Sequence, residues 1–407
     1  MIKGEKTRQK LIWLFGIIFI NLCIIVLPLC RASKQNHAEE KTPVFLAVQT
    51  QDTIEENMQE QIENLDLKAL EDYLRSIGEL KDESLGERLF RYVKGAKFDF
   101  ADFCDALVDV FLSKITLLLP SFAVIAAISL LSGVISTLKS NINAQTSGEM
   151  IFLITYAASL IPLLAVLIEC FTDTAKGVAE LREQMQLIYP IMLTLMAASG
   201  GTVSASVCRP AVAFFSTSIV SIIDGVVFPL TMTIIVLSMA GNLTKDLKIG
   251  KFSAFFKSIN KWIIGVCVSV FGIFFTLQGI TTAIYDGVVR RAAKYAIGNG
   301  IPIVGGFLSG GFDLAVAGSV LIKNSLGSMG IFLMLSILIE PLVLLISVNV
   351  LLRFIAAVTQ PFGDSRISDF LGETADNMQY CTAGLLITAF LYFLTIVLMI
   401  YSTEGLF

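Results

Sequence analysis

The chain alternates between long apolar runs and short polar stretches over most of its length. A helix needs about 20 apolar residues to cross a bilayer. Runs of this length occur at 113–137, 150–170, 188–208, 262–282, 327–352 and 381–402. Two more runs, 211–241 and 301–322, are interrupted by polar residues, glycine or proline. The pattern predicts an all-α polytopic membrane protein with about 7–8 membrane segments, some of them broken or half-spanning.

The N-terminus has the layout of an export signal. Four Lys and Arg residues precede the apolar run 11–29, and small residues follow it. This order predicts a signal peptide at residues 1–32, with cleavage between Ala32 and Ser33. An uncleaved anchor helix is the alternative, because about nineteen apolar residues can just span a bilayer. Either interpretation places the following residues outside the cytoplasm.

Residues 33–112 are polar and acidic, with eighteen Asp and Glu against nine Lys and Arg, a balance of −9. Apolar residues recur at helical spacing from Leu65 to Leu80, and Asp66 is placed to cap the helix. We predict a small exported helical domain here, followed by a polytopic membrane domain at 113–407. The apolar helix faces either pack on one another and on the membrane surface or dock a partner.

Two polar loops suggest an orientation for the membrane domain. Loop 242–261 carries five lysines and one aspartate, so the positive-inside rule places it in the cytoplasm. Loop 357–380 carries four acidic residues and one arginine, which is compatible with the outer side. The pair Arg290-Arg291 also falls outside in this scheme, although the positive-inside rule disfavours cations there. Either the pair belongs to an amphipathic helix at the membrane interface, or the predicted topology is wrong by one segment.

This orientation requires an unusual path for residues 211–241. If the run crossed once after 188–208, the five lysines would face outward. We therefore predict that it enters and returns as two half-segments, which other parts of the protein must cover because their backbone groups need partners. The break is expected near Asp224, Gly225 and Pro229.

Ionisable residues within apolar runs are candidates for functional positions. Glu340 precedes Pro341 in the middle of 327–352, so it must pair, become protonated or face water. For two of the other candidates, which lie near segment ends, snorkelling to the interface is the alternative. The candidates at a pore or subunit contact are Asp313, Lys323, Glu340 and Arg353.

A glycine-rich stretch is the second candidate for a pore or a subunit contact. Small residues allow helices to approach closely, and glycine with proline can also leave carbonyl groups free to line a path. The residues concerned are Gly298, Asn299, Gly300, Pro302, Gly305, Gly306, Gly310 and Gly311. A second cluster of small residues at 197–202 gives segment 188–208 a similar capacity for close contact.

The sequence offers little for catalysis or for cofactor binding. It has no G-x-x-x-x-G-K-[ST] motif for nucleotide phosphates. It contains one histidine, His37, and seven cysteines without a CxxC pair, so neither a metal site nor a disulfide framework is expected. We predict that the protein is not an enzyme and binds no cofactor.

Short motifs, in order and spacing, resemble those of a known family. They are Asp286-Gly287-Val288, Ala293-Lys294-Tyr295, Gly298-Asn299, Pro302-Ile303-Val304-Gly305-Gly306, Lys323-Asn324-Ser325-Leu326-Gly327 and Gln360-Pro361-Phe362-Gly363-Asp364. The chain thereby resembles stage III sporulation protein AE of endospore-forming Firmicutes, most strongly over residues 210–400.

The resemblance implies a subunit of the complex that joins mother cell and forespore as a channel or feeding tube. The implied partners are the other stage III A sporulation proteins and, directly or indirectly, stage II sporulation protein Q. The implied location is the mother-cell membrane around the forespore, and homo-oligomerisation is expected. Two alternatives to a conduit subunit remain, a scaffold that anchors partners through residues 33–112 and an independent secondary transporter, which an inverted repeat would favour.

Overall fold

A computed structural model of the chain describes residues 67–76, 100–139, 145–243, 249–274, 305–361 and 365–401, and the single positions 60, 62, 65, 85 and 89. Regular secondary structure in these ranges is entirely helical, which confirms the all-α prediction. Six of the described helices are long and apolar enough to cross a membrane. Ala32, Ser33, Arg290, Arg291, Gly298, Asn299, Gly300 and Pro302 lie outside the described residues.

Seven helices follow one another in this part of the chain. The first is short: α1 is Lys68–Ser76, and its leucines Leu70 and Leu74 are buried, as their spacing predicts. The other six are α2, Phe100–Lys139; α3, Gln145–Ala198; α4, Thr202–Leu243; α5, Gly250–Phe274; α6, Gly305–Thr359; and α7, Ser365–Tyr401.

Helix α3 joins two segments that the hydropathy pattern separates. It is continuous over 54 residues, or about 80 Å at 1.5 Å per residue, so the prediction of separate spans at 150–170 and 188–208 is wrong. The charged residues between them suggest a loop, but Lys176 and Glu180 form an i,i+4 pair at 3.6 Å, which supports a helix. The chain turns only inside the second predicted span.

Glycine ends α3. Gly200 has a φ of 92°, a left-handed conformation that favours glycine at the position after a helix. Its N–H donates to Ala197 O at 3.1 Å and that of Gly201 donates to Met196 O at 2.9 Å, the bonding pattern of a Schellman motif. The small residues at 197–202 therefore form the turn between α3 and α4.

Helix α4 crosses the region where a break is predicted without turning back. Two π-helical turns, Phe215–Ile219 and Ile223–Val227, interrupt its α-helical geometry. The second π-helical turn ends two residues before Pro229, which has no N–H to donate. The wider π-helical turn accommodates the missing hydrogen bond, so the helix continues through the proline. The prediction of two half-segments at 211–241 is therefore wrong, and Asp224 is exposed on an unbroken helix.

Contacts along α6 and α7 establish that these helices are antiparallel. Asn349 Nδ2 donates to Ala375 O, Ser368 Oγ to Ala356 O at 2.7 Å and, far along both helices, Lys323 Nζ to Ile400 O at 2.8 Å. α6 contains residues 305–322 and all of 327–352 in one helix of 55 residues. The predicted separation of these two spans is therefore also wrong.

The end of α4 and the start of α7 lie side by side. Ser238 Oγ donates to the Glu373 carboxylate, and Asn242 Nδ2 lies 3.5 Å from the same carboxylate. The end of α4 and the start of α7 therefore share one end of the bundle, so the prediction that the runs 242–261 and 357–380 lie on opposite sides is wrong. We name this the lysine end, after the lysine-rich run 242–261 in which α4 ends and α5 begins. The opposite end, with the Ser199–Gly201 turn and Tyr401, is the distal end.

We expect Gly200→Ala to lower the stability of the folded chain by about 1 kcal/mol, because a Cβ is disfavoured in the left-handed conformation. Gly241→Ala is the matched control: Gly241 is helical and a Cβ there meets nothing within 4 Å. Thermal unfolding of the purified protein in detergent measures both. Equal midpoints for the two variants would contradict the role of the turn.

Candidate functional site

The predicted ionisable residues of α6 do not form one site. Lys323, Glu340 and Arg353 are 17 and 13 residues apart on the same helix, which separates them by about 26 and 20 Å. Each one has its own contacts. Asp313 and the glycines Gly305, Gly306, Gly310 and Gly311 belong to the first turns of α6.

Glu340 pairs with a residue that the sequence analysis missed. Its Oε1 lies 2.7 Å from Lys114 Nζ on α2, with the Lys114 side chain 18% and the Glu340 side chain 67% exposed. The carboxylate is therefore both paired and open to the surroundings, two of the three outcomes expected for it. Lys114 could have been found, because it is the sole cation between Lys97 and Lys139.

Lys323 is fully buried, with 0% exposure. Its ammonium group donates to the carbonyl oxygen of Ile400 at 2.8 Å. This carbonyl belongs to the last turn of α7, where helices leave acceptors without intrahelical partners and where a cation is favoured by the helix dipole. Lys323 therefore ties the distal ends of α6 and α7 together, and the snorkelling interpretation is wrong for this residue.

Arg353 belongs to a polar group at the lysine end. Its Nη2 donates to Asp376 Oδ1 at 2.7 Å and its Nε to Asn349 Oδ1 at 2.9 Å. Both partners of the ion pair are about half exposed, at 48% and 46%. A cavity of about 520 Å³ opens beside them, and its lining includes polar residues of α4, α6, α7 and the turn after α6: Asn242, Arg353, Gln360, Asp369, Glu373 and Asp376.

Close helix contacts occur at glycines outside the predicted stretch. A Cβ at Gly177 of α3 would lie 2.9 Å from Cγ of Pro341 on α6. On α6, a Cβ at Gly327 would lie 2.6 Å from Cδ1 of Ile400. At Gly384 of α7 it would lie 2.9 Å from the ring of Phe228 on α4. These glycines let α3, α4, α6 and α7 approach one another. The sequence signal for the contact at Gly177 was a single glycine among charged residues.

Helix α1 contacts α3 near Glu180, where α3 carries several charged residues. Tyr73 is buried, and its hydroxyl donates to Glu180 O at 3.4 Å. Burial, followed by the charges of Glu180 and Glu183, raises the pKa of Tyr73 well above its ordinary value. The hydroxyl therefore stays protonated near neutral pH and remains a donor. No group of three His, Cys, Asp or Glu residues suited to a metal ion occurs among the described residues.

The chain is similar to known proteins over most of its length. The family model for stage III sporulation protein AE matches residues 86–403. The stage III sporulation protein AE of Bacillus subtilis (strain 168) is 23% identical over 330 residues, which cover 81% of this chain and 83% of that protein. No solved structure matches the chain.

We expect Glu340→Lys to weaken the contact between α2 and α6, because it places two cations together. The double variant Lys114→Glu with Glu340→Lys restores an ion pair of opposite polarity and should recover the lost stability. The coupling energy is expected at about 1 kcal/mol or below, since one partner is exposed. Thermal unfolding of the single and double variants gives it; strictly additive effects would show that the pair contributes nothing.

We expect Gly177→Ala to lower the stability of the protein by about 1–3 kcal/mol, because the added methyl group overlaps the rigid ring of Pro341. Gly265→Ala is the control, since a Cβ at that helical position of α5 meets nothing within 4 Å. Unfolding midpoints in detergent are compared for both. A Gly177→Ala protein as stable as the control would mean that α3 and α6 separate without cost.

Proposed function

The chain belongs to the stage III sporulation protein AE family, and on this premise we propose that it is a membrane-embedded core or conduit subunit of the channel complex between mother cell and forespore. Membership of the family gives the chain a role in sporulation. Its partners would be the other stage III A proteins and, directly or indirectly, stage II sporulation protein Q. Its location would be the mother-cell membrane around the forespore.

The proposed orientation is supported by the order of the helices. If residues 33–112 are exported, α2 runs inward, α3 outward and α4 inward again. The link between α4 and α5, with Lys245 and Lys248, then lies in the cytoplasm as the positive-inside rule requires. The α4–α5 link reaches the cytoplasm when each of α2, α3 and α4 crosses the membrane once, so no half-segment is needed.

The interior of the described bundle favours a conduit between copies over a path through one copy. Large side chains fill the bundle: Phe122, Tyr156 and Tyr392 are each at most 2% exposed. Protein interiors packed in this way leave little room for a solute. A conduit built from this chain would therefore need several copies around a common axis. The filled interior is the observation that supports a homo-oligomer.

Candidate contacts between copies are the exposed Glu340 carboxylate and the glycine-rich stretch that leads into α6. Glu340 presents 67% of its side chain at the surface although it is paired within the chain. Residues 298–311 supply small side chains of the kind that allow helices of neighbouring subunits to approach. We assign the subunit contact to these two features.

A scaffold that anchors other subunits is the second candidate. The apolar side of α1 is already buried, while Lys68 and Asp72 on its other side are exposed. A charged helix face held on the bundle is suited to dock a polar partner. In this case, the membrane helices would serve only as an anchor.

We expect the purified full chain to form a stable homo-oligomer in mild detergent. Its mass is measured by native mass spectrometry. Glu340→Arg should shift this mass towards the monomer and lower the yield of heat-resistant spores about tenfold or more, because a buried cation at a contact is costly. Glu183→Arg, a charge reversal at another exposed residue of the bundle, is the control and should leave both unchanged.

A monomeric protein whose Glu340→Arg variant still sporulates would contradict the conduit. The scaffold is distinguished by replacing residues 113–407 with an unrelated polytopic anchor. Normal spore yield after this exchange would support the scaffold, whereas loss of sporulation with residues 33–112 still present in the membrane would support the conduit.

A further inference from the structure

Helix α5 is basic where it begins and apolar where it ends. It contains no Asp or Glu, and its three lysines fall within its first twelve residues: Lys251, Lys257 and Lys261. The large exposed side chains that follow are apolar: Trp262, Val266, Val270 and Ile273. Lysines ahead of an exposed apolar surface are typical of a membrane helix at the level of the lipid headgroups, which cationic side chains reach by snorkelling. This pattern places the start of α5 at a membrane surface.

Contacts with α4 fix which side of α5 faces outward. Asn260 is buried, and its Nδ2 donates to Thr231 Oγ1 at 2.9 Å. Further along, the ring of Phe271 meets that of Phe215 edge-on, with 5.1 Å between the ring centres. Asn260 and Phe271 lie on the same side of the helix. The exposed Lys251, on the opposite side, therefore points away from the bundle.

The three lysines share one face of α5. At about 100° per residue they fall within about 120° of the helix circumference, and the exposed side chains between them are small: Ala254 and Ser258. Lys257 and Lys261 are four positions apart, a spacing at which like charges repel in a helix. Lys251 and Lys257 form no ion pair with any residue that the structure describes. We name these five residues the basic face of α5, and its charge favours an anion as the partner.

Trp262 borders the basic face. Its side chain is the most exposed of the large apolar side chains of α5, at 72%, and it follows Ser258 by about one turn. Tryptophan is enriched where hydrocarbon meets headgroups, because its ring is apolar and its N–H is polar. Cations beside an exposed aromatic ring match the two parts of a phospholipid, the charged phosphate and the apolar chains beneath it.

We propose that the basic face of α5 binds an anionic phospholipid. The lysine ammonium groups donate charge-assisted hydrogen bonds to the headgroup phosphate, and the small side chains of Ala254 and Ser258 leave room for it between them. The acyl chains lie along Trp262 and Val266. Binding requires only that the lysine end meets a membrane surface, so the site is the same for either orientation of the protein.

The charge of the headgroup decides which lipid occupies this face. A basic residue close to the membrane surface increases the affinity for anionic lipid about fivefold. A zwitterionic headgroup carries its own cation next to the phosphate and gains little from three lysines. No carboxylate on α5 competes with the phosphate for the lysines.

Trp262 reports on the site directly, because Trp13 is the only other tryptophan of the sequence. Trp13→Phe is therefore prepared in the full chain, which is reconstituted in phosphatidylcholine nanodiscs. A minor fraction of the lipid is replaced by phosphatidylglycerol with brominated acyl chains or, in equal amount, by brominated phosphatidylcholine. Bromine quenches an indole that it contacts, so the two titrations give the relative affinity of the two lipids for the surface at Trp262.

Brominated phosphatidylglycerol should bind at least about fivefold more strongly than brominated phosphatidylcholine. Lys251→Gln, Lys257→Gln and Lys261→Gln combined should reduce this ratio to about one. The corresponding three arginine substitutions should retain it, because arginine keeps the charge. Lys68→Gln combined with Lys176→Gln, at exposed lysines of α1 and α3, is the matched control and should leave the ratio unchanged.

Equal quenching by the two lipids in the chain with its own lysines would overturn the proposal, and this comparison needs no lysine variant. A preference for phosphatidylglycerol that survives the three glutamine substitutions would overturn it as well. Circular dichroism and elution volume show whether each variant is folded.

Discussion

The close approach of α3 to α6 is the constraint on which the bundle depends. Gly177 lies against Pro341 at a distance that leaves no room for a Cβ, and both residues are in the middle of their helices. The distal contacts of Gly327 and Gly330 with α3 and α7 repeat the arrangement further along. Between apolar helices in lipid the hydrophobic effect contributes little, so such van der Waals contact is the main attraction available.

Polar groups then fix the register that the glycines permit. Lys114 and Glu340 join α2 to α6, Lys323 joins α6 to the end of α7, and Ser238 with Glu373 joins α4 to α7. Each of these contacts links residues that are at least 77 positions apart in sequence, and each sits at a different height. A sliding movement of one helix would break several contacts at once, so the bundle has one preferred alignment.

Sequence reasoning predicts the class of the fold better than its connections. The apolar runs identify residues that lie on long helices, and the period of Leu70 and Leu74 locates α1. Hydropathy cannot tell a lipid-facing helix from one buried in protein, since both are apolar, and charged residues within α3 resemble a loop. The helical i,i+4 pair of Lys176 and Glu180 decides the matter only once the structure is known. Glu340 is a candidate from its sequence context alone, and Lys114 stands out as a lone cation, but the two are 226 residues apart, so no local pattern joins them.

The burial of α7 bears on how the protein is made. Tyr401 is the single large apolar residue of α7 that is exposed, and many of the others are buried against α3, α4 and α6. The ribosome synthesises α7 after those helices, so they must leave a groove until it arrives. That groove would expose Gly327, Gly330 and the ammonium group of Lys323, whose acceptor Ile400 O belongs to α7. A nascent chain that stalls before α7 is complete would therefore be a natural substrate for membrane quality-control proteases.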